Sequence, residues 1–155
     1  MALQEGVAAD GRADEPVQVT VVLQSASPGQ TNYLTSVTVG DRPPIEGSFE
    51  LPAHGWDQTY EGAQTSKDGA SVGAAVDTGM RLFDALFSGP LRRCWAQVVE
   101  ESRGQEMRLV ICSAALAIHG LPWELLFDRV LVDRHLALVE GWSVVRAVPD
   151  PPPLP

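Results

Sequence analysis

Basic residues, cysteines and long apolar runs are all scarce in this 155-residue chain, and each scarcity removes a class of function. Lys and Arg total 11 against 20 Asp and Glu, for a formal net charge of −9. A nucleic-acid binder draws most of its affinity from neutralising phosphates. The best basic cluster here is Arg92-Arg93, too small for that purpose. Nucleic acid is therefore not expected as a partner, and the negative charge reads as solubility and self-repulsion. No segment approaches the roughly 20 apolar residues of a membrane-spanning helix. The N-terminus, MALQEGVAADGRADEP, has neither a basic nor an apolar signal region, so residence in the cytoplasm is the expectation.

Two cysteines, Cys94 and Cys112, could form one disulfide, but both sit among apolar neighbours and read as core thiols. The histidines are His54, His119 and His135. With no Cys-x-x-Cys or His-x-x-x-His spacing, they make no metal site. Gly69 to Gly73 is too short for a phosphate-cradling loop and lacks the following Lys-Ser/Thr. Neither cofactor nor metal is called for.

What is present is a change of periodicity along the chain. Residues 1–16 are rich in Ala, Gly, Asp and Glu without a period and read as a disordered leader. Val17 to Leu23 and Tyr33 to Val39 alternate apolar and polar residues, predicting two half-buried strands paired in a hairpin around Pro28-Gly29. Gly47 to Leu51 is short enough for a third, edge-like strand ended by Pro52. Residues 52–70 are polar, with Trp56 and Tyr60 as their large side chains.

From Ser71 the period becomes helical. Val72, Val76, Met80, Phe83 and Phe87 form a stripe widened by Leu82 and Leu86. Ser88-Gly89 stops that helix and Pro90 opens another, with Leu91, Cys94, Trp95, Val98 and Val99 on its buried side. The two helices should pack on each other or on one sheet face. Met107 to Cys112 predicts an internal strand covered on both faces. Leu121 to Asp128 predicts a short helical turn opened by Pro122. Val130 to Val132 and His135 to Val139 predict a hairpin around Asp133-Arg134, and Trp142 to Arg146 a last strand. Residues 149–155 form a Pro-rich tail or linker. The fold class is thus α/β: a mixed sheet with an N-terminal hairpin, two amphipathic helices and C-terminal strands.

The order of these pieces carries a resemblance. Arg81-Leu-Phe-Asp-Ala-Leu-Phe-Ser-Gly89, Met107-Arg-Leu-Val-Ile111, Leu121-Pro-Trp-Glu-Leu-Leu126 and Ser143-Val-Val-Arg146 follow one another. This resembles the opening portion of CHAT domains, caspase-like cysteine peptidase modules of bacterial signalling or defence. It covers most of residues 71–148, within a segment 17–148, and implies an incomplete caspase-like domain. In such a domain Leu121, Pro122, Trp123, Glu124, Leu125, Leu126 and Arg146 form a structural motif. Trp123 would anchor it, and Leu125 and Leu126 would bury into the sheet. Glu124 either pairs with Arg146 or is an ordinary exposed first-turn carboxylate.

The resemblance also implies a later half that supplies a His-Gly and a Cys. His119-Gly120 and Cys112 imitate that pair, but His119-Gly120 falls in a connection that is non-catalytic in the family, and Cys112 comes first in the chain and lies within a strand. No catalytic residue is assigned. The function expected is a non-catalytic N-terminal scaffold whose partner is the catalytic half of a CHAT domain. The alternative is a free-standing protein-binding module engaging another partner chain through an exposed sheet edge, and a third reading is a soluble α/β domain whose similarity is accidental.

Overall fold

A computed structural model describes residues 15–150, apart from 26, 28 and 52–68. The expectations for the leader, for Trp56, Tyr60 and His54, and for all but the first two residues of the tail lie outside the described residues.

Alternating apolar residues produce strands β1 (Val17–Ser25), β2 (Asn32–Val39) and β3 (Ile45–Glu50), joined as an antiparallel meander. Helices α1 (Gly69–Leu86) and α2 (Pro90–Glu101) follow, separated at Gly89, whose φ of 58° suits glycine. Pro90 takes the first helical turn, where its missing N–H costs nothing. Strand β4 (Met107–Cys112), a short helix α3 (Leu116–His119), the two-residue strands β5 (Phe127–Asp128) and β6 (Arg134–His135), and β7 (Trp142–Ala147) complete the order.

The main sheet has five strands in the order β3-β2-β1-β4-β7, with β1, β4 and β7 parallel. This is the mixed α/β sheet expected. Both parallel connections advance the same way, from β1 to β4 and from β4 to β7. Right-handed crossovers travelling in one direction place their connections on the same face. Accordingly Leu82, Phe87 and Trp95 from the first connection and Trp123, Leu126 and Leu136 from the second join one core over Val21, Val37, Leu109 and Ile111.

Three local expectations are corrected. Strand β4 is internal but covered on one face: Met107, Leu109 and Ile111 are buried while Arg108 is exposed. In α1 the expected Leu82, Phe83 and Leu86, with Phe87 after it, are buried, but the stripe does not reach the start of the helix: Val72 is 66% exposed, Val76 and Met80 are half-buried, and Thr78 is buried instead. The C-terminal hairpin pairs Phe127 with His135 and Asp128 with Arg134, not residues 130–132 with 135–139. The Asp128 carboxylate accepts from the N–H groups of Val130 and Leu131, which turns the chain there and leaves both side chains exposed.

Candidate functional site

The motif that carried the resemblance is held by three kinds of contact. Pro122 precedes a single 3-10 turn, Trp123–Leu125, so the expected helix is only three residues long. Trp123 is fully buried, its indole N–H donating to the Ile118 carbonyl at 2.7 Å and its ring 5.9 Å from that of Phe49. Leu121 and Leu126 are buried and Leu125 half-buried, while Glu124 is exposed. Pairing with Ile111 sets Arg146 on the covered side of the sheet, at the end of β7. From there one guanidinium nitrogen donates to the Leu121 carbonyl at 2.9 Å and to the Glu124 carboxylate at 2.7 Å. The partnership with Arg146 is therefore the geometry Glu124 adopts. Both side chains remain more than 40% exposed, so the ion pair itself adds at most about 1 kcal/mol.

Two residues with no assigned role in the sequence reading fix the motif more firmly. Asp128 is buried, and its carboxylate accepts from the Trp95 indole at 2.9 Å and from the backbone of Val130 and Leu131. Trp95 in turn packs against Phe83, Phe87 and Trp142. Gly79 lies so close to the 3-10 turn that a Cβ there would sit 1.8 Å from the Leu125 carbonyl oxygen. A carboxylate after an aromatic-rich run and a glycine inside a helical pattern were the only signals the sequence offered for either.

A nucleophile and base are not brought together among the described residues. Cys112 pairs with Val22 and Ala147, on the face of the sheet opposite the core. Burial pushes its thiol above the ordinary range, and Asp150 adds to the effect. An activated thiol needs the reverse shift. His119 donates from Nε2 to the Ser113 carbonyl at 2.5 Å, and His135 donates from Nδ1 to the Leu125 carbonyl at 2.8 Å. Each imidazole is thus tied to backbone and not to sulfur. Cys94 is on the buried side of α2, its thiol raised by burial and only partly lowered by Arg42. Among the described residues neither cysteine is in a disulfide, and no cluster of three or more His, Cys, Asp or Glu could hold a metal.

The uncovered face of the sheet has a consistent character. None of its residues is fully buried, from Gln18 and Thr20 on β1 to Ser143 and Val145 on β7. Over the parallel strands it is polar at their starts, with Gln18, Arg108 and Ser143, and small and apolar further along, with Val22, Val110, Cys112, Val145 and Ala147. Over β2 and β3 it is mostly polar, with Ser36, Thr38, Glu46, Ser48 and Glu50 around an exposed Leu34. No described helix is long and apolar enough to cross a membrane. No family model matches this chain, and no curated protein sequence does.

Proposed function

We propose that this chain is the non-catalytic N-terminal scaffold of a CHAT-like, caspase-like cysteine peptidase, against which a catalytic half packs. The observation that supports this most is the uncovered parallel half of the sheet. All-parallel sheets are found with both faces covered, and here the patch of Val22, Val110, Cys112, Val145 and Ala147 is left open beside the polar Gln18, Arg108 and Ser143.

Two measurements test the reading. The purified chain should turn over none of a broad set of peptide reporters; cleavage that disappears in Cys112→Ala would overturn it. The reading frame beyond Pro155, or a neighbouring one, should encode a hydrophobic strand followed by His-Gly and a second strand followed by Cys. Co-expression of such a segment should yield a stable complex and restore cleavage. If no such segment exists while the chain still captures one defined protein, the alternative of a free-standing binding module is favoured.

A further inference from the structure

Two turns at the start of the parallel strands border a cleft. One runs from the end of α2 into β4, the other leads into β7, and the β5–β6 loop forms a third wall. Its volume of about 740 Å³ lies in the upper part of the ~300–1,000 Å³ range of small-molecule sites. The apolar lining includes Val99, Val139 and half-buried Trp142, whose ring meets that of Trp95 edge-on at 6.0 Å. The polar lining holds groups without partners. Ser102, the C-cap of α2, is 1% exposed, and its buried hydroxyl has no hydrogen-bond partner among the described residues. A buried polar group in that state is costly until something satisfies it. Arg134 from the hairpin and Glu106 and Glu140 from the two turns make no ion pair among the described residues, whereas Arg103 is already paired with Glu100. The last turn of α2 has no basic residue, and a helix C-terminus favours a positive group beside it.

We infer that this cleft binds a short apolar peptide of two or three residues with both ends free. Its carboxylate meets Arg134, its ammonium meets Glu106, Glu140 and the end of α2, and a backbone amide reaches the Ser102 hydroxyl. An anion alone would lie against two carboxylates, and a cation alone against the unpaired Arg134. A single amino acid carries both charges but leaves most of the volume empty. The apolar side chains of a peptide lie against Val99, Val139 and Trp142. Such a site needs no catalytic half, and it sits at the opposite end of β4 from Cys112.

Leucyl-leucine, its N-acetyl form and its C-terminal amide are each titrated into isotope-labelled protein. The free dipeptide should shift the amides of residues 104–106 and 140–142 and the Trp142 indole, and the shifts should saturate. Either cap should weaken binding about tenfold or more, because each removes one charged partner. Arg134→Gln should weaken the free dipeptide to the level of the amide. Glu106→Gln combined with Glu140→Gln should weaken it to the level of the N-acetyl form. All three side chains are exposed, so thermal melts of these variants should match the parent. Ser102→Ala should weaken binding too, yet leave the melt unchanged or raised, because the hydroxyl it removes has no partner in the free protein. No saturable shift at millimolar dipeptide, shifts centred elsewhere, capped forms bound as tightly as the free one, or unchanged binding in Ser102→Ala would each overturn the inference. None of these results bears on the scaffold reading, which is tested by complex formation and cleavage.

Discussion

The indole nitrogen of Trp95 lies 2.9 Å from Oδ2 of Asp128, joining the middle of α2 to the start of the β5–β6 hairpin across 33 residues of chain. Both residues are almost inaccessible to water. The carboxylate is shared with two backbone N–H groups, so removing it strands three donors at once. Asp128→Ala should therefore lower stability by about 3 kcal/mol or more, whereas Trp95→Phe should lose mainly the hydrogen bond and part of the packing, about 2 kcal/mol. Urea denaturation of the two variants checks the order. A cost for Asp128→Ala below that of Trp95→Phe would contradict the shared role of the carboxylate.

Glycines in α1 should respond to alanine with opposite signs. At Gly73 a Cβ meets nothing within 4 Å, and the exchange should stabilise the helix by about 0.5–1 kcal/mol. At Gly79 the same atom collides with the Leu125 carbonyl, a backbone group that cannot swing aside. Gly79→Ala should destabilise by about 2 kcal/mol or more as the helix and the 3-10 turn are forced apart. Thermal melts of the two variants should shift in opposite directions.

The Arg146 clamp divides between an exposed ion pair and a bond to backbone. Glu124→Gln should cost less than about 1 kcal/mol and become neutral in high salt. Arg146→Ala also leaves the Leu121 carbonyl without its side-chain donor and should cost about 1 kcal/mol more. A denaturant series at low and high salt separates the two, because only the Glu124 contribution is screened.

Thiol chemistry reports the pH behaviour. Burial raises both the Cys94 and the Cys112 thiols above the ordinary 9.0, so each favours its neutral form in the folded state. Their contribution to stability is present in full below the unfolded value and is lost as pH rises through the higher folded value. Alkylation of the native protein at pH 7 to 8 should be slower than that of a free cysteine in the same buffer. Stability should decline above pH 9, and less steeply in Cys94→Ala than in the parent after correction for its lower baseline. Rapid alkylation of Cys112 at neutral pH would instead mark an activated thiol.

Alternation along residues 17–23, 33–39 and 107–112 and the glycine and proline at 89 and 90 determined β1, β2, β4 and the break between α1 and α2, because each depends on residues near in sequence. The pattern placed Leu82, Phe83 and Leu86 on the buried face of α1, but not where that face ends. Val72 is exposed and Thr78 is buried beside Gly79, because what the helix meets there, the Leu125 carbonyl, lies on another element. The role of Asp128 was invisible for the same reason: its partner Trp95 lies on another element, and its turn displaced the expected hairpin. The covered and uncovered faces of the sheet came only from the tertiary structure. They depend on the direction in which successive crossovers travel across the sheet, a property of strand order that no local pattern of residues encodes.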